Sequence, residues 1–340
     1  MKKDNRLIAI LSVFGILLVV LGHSGFEEEI IKQTYAGLHR WIYSFHMPLF
    51  FLISGYLFAY TTSDFSKLDV GRLLKKKVRR LLFPYFVFGS ILFVIKMLFS
   101  QFSYVDRDFS IVSYCTMFFV PQASYSTMGY LWFLPALFLI FLVVGLLCLL
   151  RINLRKNSQV AVVMIISFTL NILFPHIQYL LLSEIFWYLP FFVGGIWYQQ
   201  NQEILERRLC LGSIGVCLLL GGLSIGEAVY FPSGIFIIKV VYVIVGILFS
   251  ISLCINVMKF CGNSKIPLAN YTYSIYLLSW FGQYGTKIFL MELLHVNVGV
   301  YLLPLLFVVG VAFPVLCCML LENVKSNSLI MKYTRLLIGI

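Results

Sequence analysis

The run Leu7-Ile8-Ala9-Ile10-Leu11-Ser12-Val13-Phe14-Gly15-Ile16-Leu17-Leu18-Val19-Val20-Leu21-Gly22-His23-Ser24 decides the fold class. It is apolar around every side of a helix, and such a helix is buried in a core or in lipid. Composition chooses lipid. Of 340 residues, 61% are hydrophobic and 12% charged, against roughly a quarter charged in a soluble domain. One globular core cannot bury that excess, so the bilayer is the solvent. The run ends on His23, and an ionisable side chain at membrane depth is costly enough to be a functional candidate by default.

A spanning helix needs about 20 apolar residues. Ten segments qualify: 7–25, 41–61, 81–99, 129–150, 159–176, 184–200, 210–226, 235–257, 269–290 and 299–321. The expected fold is therefore all-α: a polytopic membrane helical bundle in one domain, 1–340, with a short cytoplasmic tail at 322–340. Residues 100–128, aromatic and polar, form the longest outer connection and are read as holding a short interfacial or re-entrant helix. Lys2, Lys3 and Arg6 before the first segment imitate a cleaved leader. No small-x-small cleavage site follows them, so a retained first span is expected.

The net charge is +12. Its distribution explains it without nucleic acid, for which no motif is present. Basic residues collect in alternate connections: Lys67 to Arg80, Arg151 to Lys156, Arg207 and Arg208, Lys259 and Lys265, then Lys325, Lys332 and Arg335. The other connections hold Glu27 to Glu29, Asp106 and Asp108, Glu227 and Glu292. The positive-inside rule then puts both termini in the cytoplasm. The eight cysteines lie mostly in apolar runs without a CxxC pair. They read as small apolar residues, not as disulfides or metal ligands.

Several residues carry candidate chemistry. From Leu7, roughly 16 residues at about 1.5 Å each place His23 about 24 Å along its helix, in the outer third of the membrane. It is either a polar interfacial residue or a general base for a hydroxyl, which suits an imidazole. His46, in Phe45-His46-Met47-Pro48-Leu49-Phe50-Phe51, is either interfacial or functional, and is a candidate to orient His23. Gly55, after Ser54, allows close helix approach. The block Lys75-Lys76-Lys77-Val78-Arg79-Arg80 is either an orientation signal meeting anionic lipid heads or a cytoplasmic anion site with forked Arg donors. Gly129 to Pro135 opens the fourth segment, and Trp132 suits an interfacial belt. Glu184 and Glu227, at outer span ends, are candidates to orient a histidine or bind a substrate hydroxyl. No Walker loop, GxGxxG, HExxH or DxD-like motif appears, which argues against an ATP-driven pump and a nucleotide-sugar transferase.

In order and spacing these stretches resemble the acyltransferase-3 family of bacterial integral-membrane acyltransferases. The similarity is carried by Val20-Leu21-Gly22-His23-Ser24, by Phe45 to Tyr56, by Lys77-Val78-Arg79-Arg80 leading to Pro84-Tyr85, by Trp132-Phe133-Leu134, by Phe191 to Gly195 and by Tyr273 to Leu278. The pattern looks closest to the subgroup resembling fucose 4-O-acetyltransferases. Two departures stand out: Lys77 replaces the first Arg of an Arg-x-x-Arg element, and Ser279-Trp280 stands where many members have a histidine.

The resemblance implies transfer of an acyl group, taken as acetyl, from cytoplasmic acyl-CoA to a hydroxyl of a cell-surface glycan or lipid-linked saccharide. It implies a multi-pass protein of the bacterial cytoplasmic membrane, with membrane lipids and the acceptor as partners and no metal. The CoA phosphates would dock at Lys77, Arg79 and Arg80, and the pantetheine arm would rise through the bundle. His23, with His46, would be catalytic, His23 either deprotonating the acceptor hydroxyl or first taking the acyl group itself, and Trp132, Glu184 and Glu227 would meet the acceptor. Lysine at position 77 keeps the charge but loses the fork, so phosphate contact rests on Arg79 or Arg80. Two rivals remain. A transporter or flippase for a lipid-linked sugar also suits ten spans, but no matching halves with Gly/Pro-broken helices are found. Membrane-bound O-acyltransferases of the unrelated type place their histidine late in the chain, whereas His23 and His46 lie early.

Overall fold

The computed structural model describes residues 3–25, 29–98, 110, 112, 114–115, 129–175, 177, 181–230, 235–262, 264–297, 299–324, 334–335 and 337–339, with backbone alone at 3–5 and 227–230. The described residues are helical and contain no strand. The helices are α1 (Lys3–Gly22), α2 (Glu29–Thr34), α3 (Ala36–Thr61), α4 (Val70–Lys77), α5 (Phe83–Leu98), α6 (Phe133–Leu149), α7 (Asn157–Leu173), α8 (Leu182–Arg208), α9 (Ile214–Tyr230), α10 (Phe236–Phe260), α11 (Thr272–Ile288) and α12 (Leu302–Asn323). Among the described residues, five stretches are long and apolar enough to cross a bilayer: Ala36–Thr61, Val70–Leu98, Gly129–Leu149, Phe236–Phe260 and Leu302–Asn323. Arg6–Gly22, Asn157–Leu173 and Ile214–Gly226 are shorter apolar helices. The interfacial helix expected within 100–128 lies outside the described residues, apart from positions 110, 112 and 114–115.

The third span starts well before its expected boundary at residue 81. Asp69 caps α4 by accepting from Arg72 N at 2.9 Å, and the helix runs on through the basic block. Lys, Arg and Leu are good helix formers and no Gly or Pro interrupts them. The block is therefore helix, not loop. It reaches α5 through a π-helical turn, Val78–Leu82.

The chain forms two compact units, one of residues 1–53 and 201–340 and one of residues 54–200. In the first, α1 is the centre. Its Ile16, Val19 and Val20 pack with Ile275 of α11 and with Phe307, Val311 and Val315 of α12. Its Leu18 packs with Ile42 and Phe45 of α3. On α10, a Cβ at Gly246 would overlap the Phe45 ring, so glycine sets that approach. The end of the chain folds onto this unit: Ile338 is buried, its carbonyl accepts from Ser274 Oγ at 2.5 Å, and Arg335 Nη2 donates to Val324 O at 2.7 Å.

In the second unit, Phe58, Phe141 and Phe192 form a triangle with ring centroids 5.1 to 6.0 Å apart. Such pairs contribute about 0.5–1.5 kcal/mol each beyond their buried area. A Cβ on Gly55 would overlap the Phe192 carbonyl, as the close-approach reading of Ser54-Gly55 requires. Lipid provides no hydrophobic drive between helices, so close backbone approach is what makes contact favourable.

Three cations also bond to loop carbonyls. Arg6 donates to Ser264 O at 3.0 Å, Lys259 to Gly212 O at 2.6 Å and Arg155 to Thr62 O at 2.7 Å. Thr62 O, just past the end of α3, lacks an intrahelical donor, and a cation there also suits the helix dipole.

Candidate functional site

The first unit builds its polar centre on the end of α1. The last four carbonyls of a helix have no intrahelical donor of the usual kind. Here each finds one. Val19 O accepts from His23 N at 3.1 Å, Leu21 O from Ser24 N at 3.0 Å and Gly22 O from Tyr43 OH at 3.4 Å. Val20 O accepts from Ser24 Oγ at 2.7 Å, Gln283 Nε2 at 3.0 Å and His23 N at 3.3 Å. Gly25 then turns the chain with φ +85°, a conformation that glycine takes without strain. His23 is rooted on this capped end, partly exposed, beside the buried Ser24.

Tyr43 of α3 gathers the histidines. Its ring lies 6.3 Å from that of His23, 4.1 Å from His39 and 4.9 Å from His46, centroid to centroid. His46 is packed, only 4% exposed. Its Nδ1 lies 2.7 Å from Ile42 O. A carbonyl only accepts, so Nδ1 carries the proton and neutral His46 keeps its lone pair on Nε2. Three imidazoles thus share one aromatic partner, His46 among them fixed in tautomer.

Sequence reading missed Tyr43, Gln283 and Lys287. Gln283 and Lys287 are each 2% exposed on α11. The signal was available: His39, Tyr43 and His46 stand at i, i+4 and i+7, and Gln283 and Lys287 at i and i+4, so each set shares a helix face. Lys287 is also an ionisable residue inside an expected span, the criterion that singled out His23. Glu227 falls on α9, but its side chain lies outside the described residues.

The second unit holds the remaining candidates. Arg79 and Arg80 sit on the π-helical turn, both exposed. π-turns insert one residue and recur at functional sites. Lys77, one residue earlier, turns inward: its Nζ lies 3.6 Å from the centre of the Phe141 ring. Trp132 lies 5.3 Å from Tyr188 of α8, one turn beyond Glu184, whose Oε2 accepts from Ser183 Oγ at 3.0 Å. Trp132 enters α6 from a 3₁₀ turn, Gly129–Trp132. Pro135 follows in the first turn of α6, where a missing N–H leaves no helix bond unmade. Among the described residues, no group of three or more His, Cys, Asp or Glu side chains is placed to hold a metal.

A protein-family profile described as an acyltransferase domain matches residues 8–323. No curated protein and no solved structure matches the chain.

Proposed function

The chain belongs to the acyltransferase-3 family of integral-membrane O-acyltransferases, and from that premise we propose that it moves an acetyl group from acetyl-CoA to a saccharide hydroxyl. The acceptor is a glycan or lipid-linked sugar of the bacterial envelope, and the protein crosses the cytoplasmic membrane ten times with both termini inside. His23 is the general base. The hydroxyl oxygen bonds to the acyl carbon and the carbon–sulfur bond breaks. The hydroxyl proton passes to the His23 imidazole and then to the CoA thiolate. Proton transfer by a placed imidazole is worth about 10²- to 10⁴-fold. His46, held as the Nδ1–H tautomer, is a second acceptor beside the same tyrosine.

Arg79 and Arg80 hold the donor phosphates. Guanidinium forks match phosphate oxygens, and the loop charges put these residues on the side where CoA is made. Lys77 is left out of this role because its ammonium is occupied by the Phe141 ring. Trp132 and Tyr188, with Glu184, offer a sugar an aromatic face and a carboxylate.

The observation that carries the reading is the family match over 8–323, which takes in both histidines and the basic block. The test is thiol release from acetyl-CoA by the purified full-length protein in detergent, with and without added saccharides. Release above the buffer rate that rises with a saccharide is expected. No release under any condition would favour the transporter reading and overturn this one.

A further inference from the structure

Gln283 is the most fully buried amide near the His23 turn and has no part in the chemistry above. Its Nε2 lies 3.0 Å from Val20 O, 3.0 Å from Ser24 Oγ and 3.4 Å from Leu306 O. Two of those three are carbonyls, which only accept, so the amide nitrogen must face them. The amide oxygen then points elsewhere, buried and without a hydrogen-bond partner among the described residues. Such an orphaned acceptor costs about 1–3 kcal/mol. Side-chain hydrogen bonds between membrane helices return about 0.6–2 kcal/mol. The two roughly cancel, so stability alone gives no reason for glutamine over an apolar residue of its size.

The geometry supplies another reason. The backbone N–H of His23 is shared between Val19 O at 3.1 Å and Val20 O at 3.3 Å. The last turn of α1 thus stands between an α-helical and a 3₁₀ ending. Donors on Val20 O hold it there, and Gln283 is the one that comes from another helix. Gly310 of α12 closes the arrangement: a Cβ there would stand 2.7 Å from Gln283 Nε2 and 2.7 Å from Val20 Cγ1. Three helices therefore meet on one amide, and what that amide fixes is the backbone from which His23 projects.

We propose that Gln283 is a positioning residue for His23, acting through Val20 O and Ser24 rather than by touching substrate. This rests on the base role of His23. Misplacing a catalytic group by about 1 Å can lower rate by about 10²-fold. Gln283→Met preserves volume and removes both the donor and the orphaned oxygen, so the protein should fold as well as the wild type.

The experiment uses full-length protein in detergent, acetyl-CoA as donor and water as acceptor, read as thiol release, beside His23→Ala. Gln283→Met should lower kcat by about 10- to 100-fold and leave KM for acetyl-CoA within about twofold, with the thermal midpoint unchanged. Ser24→Ala should lower kcat less, and the double variant should be no worse than Gln283→Met, because both act on one carbonyl. A folded Gln283→Met protein with wild-type kcat, while His23→Ala is inactive, overturns this proposal and leaves the base reading standing. A His23→Ala protein at the wild-type rate removes the base reading itself. A fall in kcat matched by an equal rise in KM would assign Gln283 to donor binding and also overturn it. Should Gln283→Met fail to fold, Ser24→Ala decides alone: unchanged kcat counts against the proposal and a kcat loss at constant KM supports it.

Discussion

His23 and the Arg79–Arg80 pair, the base and the phosphate site of the proposed reaction, are built in opposite ways. His23 stands on a helix end whose last four carbonyls all have donors, two of them supplied by other helices. Arg79 and Arg80 stand on a π-helical turn with long, exposed side chains. The difference follows from what each has to do. A general base must sit within hydrogen-bond reach of one proton, so its root must be fixed. A phosphate group is drawn by charge, which falls off slowly with distance, so reach matters more than registration.

The sharpest way to break this comparison is His23→Ala. Turnover of acetyl-CoA should fall by about 10²- to 10⁴-fold with little change in KM. A folded variant that turns over normally would put the base elsewhere, with His46 first to be tested. The Arg pair should behave in the complementary way. Arg79→Ala with Arg80→Ala should raise KM for acetyl-CoA at least about tenfold, since a charge-assisted hydrogen bond is worth about 1.5–3 kcal/mol, while kcat holds. In the wild type, KM should also climb between low salt and about 0.5 M salt, because exposed charges are screened, and the double variant should lose that climb. A salt-independent KM in the wild type would detach the pair from donor binding.

How much of this was legible beforehand depends on whether residues were read singly or by face. The all-helical membrane character follows from hydropathy, and the end of α1 fell at Gly22-His23 because the apolar run stops there. The basic block was harder. A hydropathy window sees lysines as the end of a span, whereas helix propensity carries the helix through them. Gln283 and Lys287 escaped for a different reason: inside an apolar segment neither breaks the average, and their meaning lies in sharing one face with Ile275 and Ser279, all buried against the core. The boundary between units at Ile53 and Ser54 falls within α3, where composition does not change. What α11 would meet at Val20 is a tertiary fact, and no spacing within one helix encodes it.

Close packing offers a smaller test, at Gly55 of the second unit with Gly222 of the first as its control. Gly55→Ala drives a Cβ into the Phe192 carbonyl, and overpacking of this kind costs about 1–3 kcal/mol. The thermal midpoint should fall by several degrees. Gly222→Ala on α9, where nothing among the described residues lies within 4 Å, should leave it unchanged or slightly raised. Equal effects from both would mean that glycine's value at position 55 is not steric.

The smallest expected effect bears most directly on how the basic block divides. Lys77 keeps the charge of its neighbours, and by sequence it belongs with them as a phosphate ligand. In the structure its ammonium lies over the face of Phe141, a ring in the Phe58–Phe141–Phe192 triangle. A cation on an aromatic face contributes about 0.5–2 kcal/mol, more when water is excluded. Lys77→Met keeps the length and apolar stem while removing the charge. If Lys77 braces α4 against α6, this variant lowers the thermal midpoint by a few degrees and leaves KM for acetyl-CoA within about twofold, since about 0.4 kcal/mol is the most a twofold change represents. If it is a ligand, KM rises as far as in Arg79→Ala or Arg80→Ala and its salt dependence weakens. The second result would return Lys77 to the anion site and show that charge in this unit is not sorted by the π-turn.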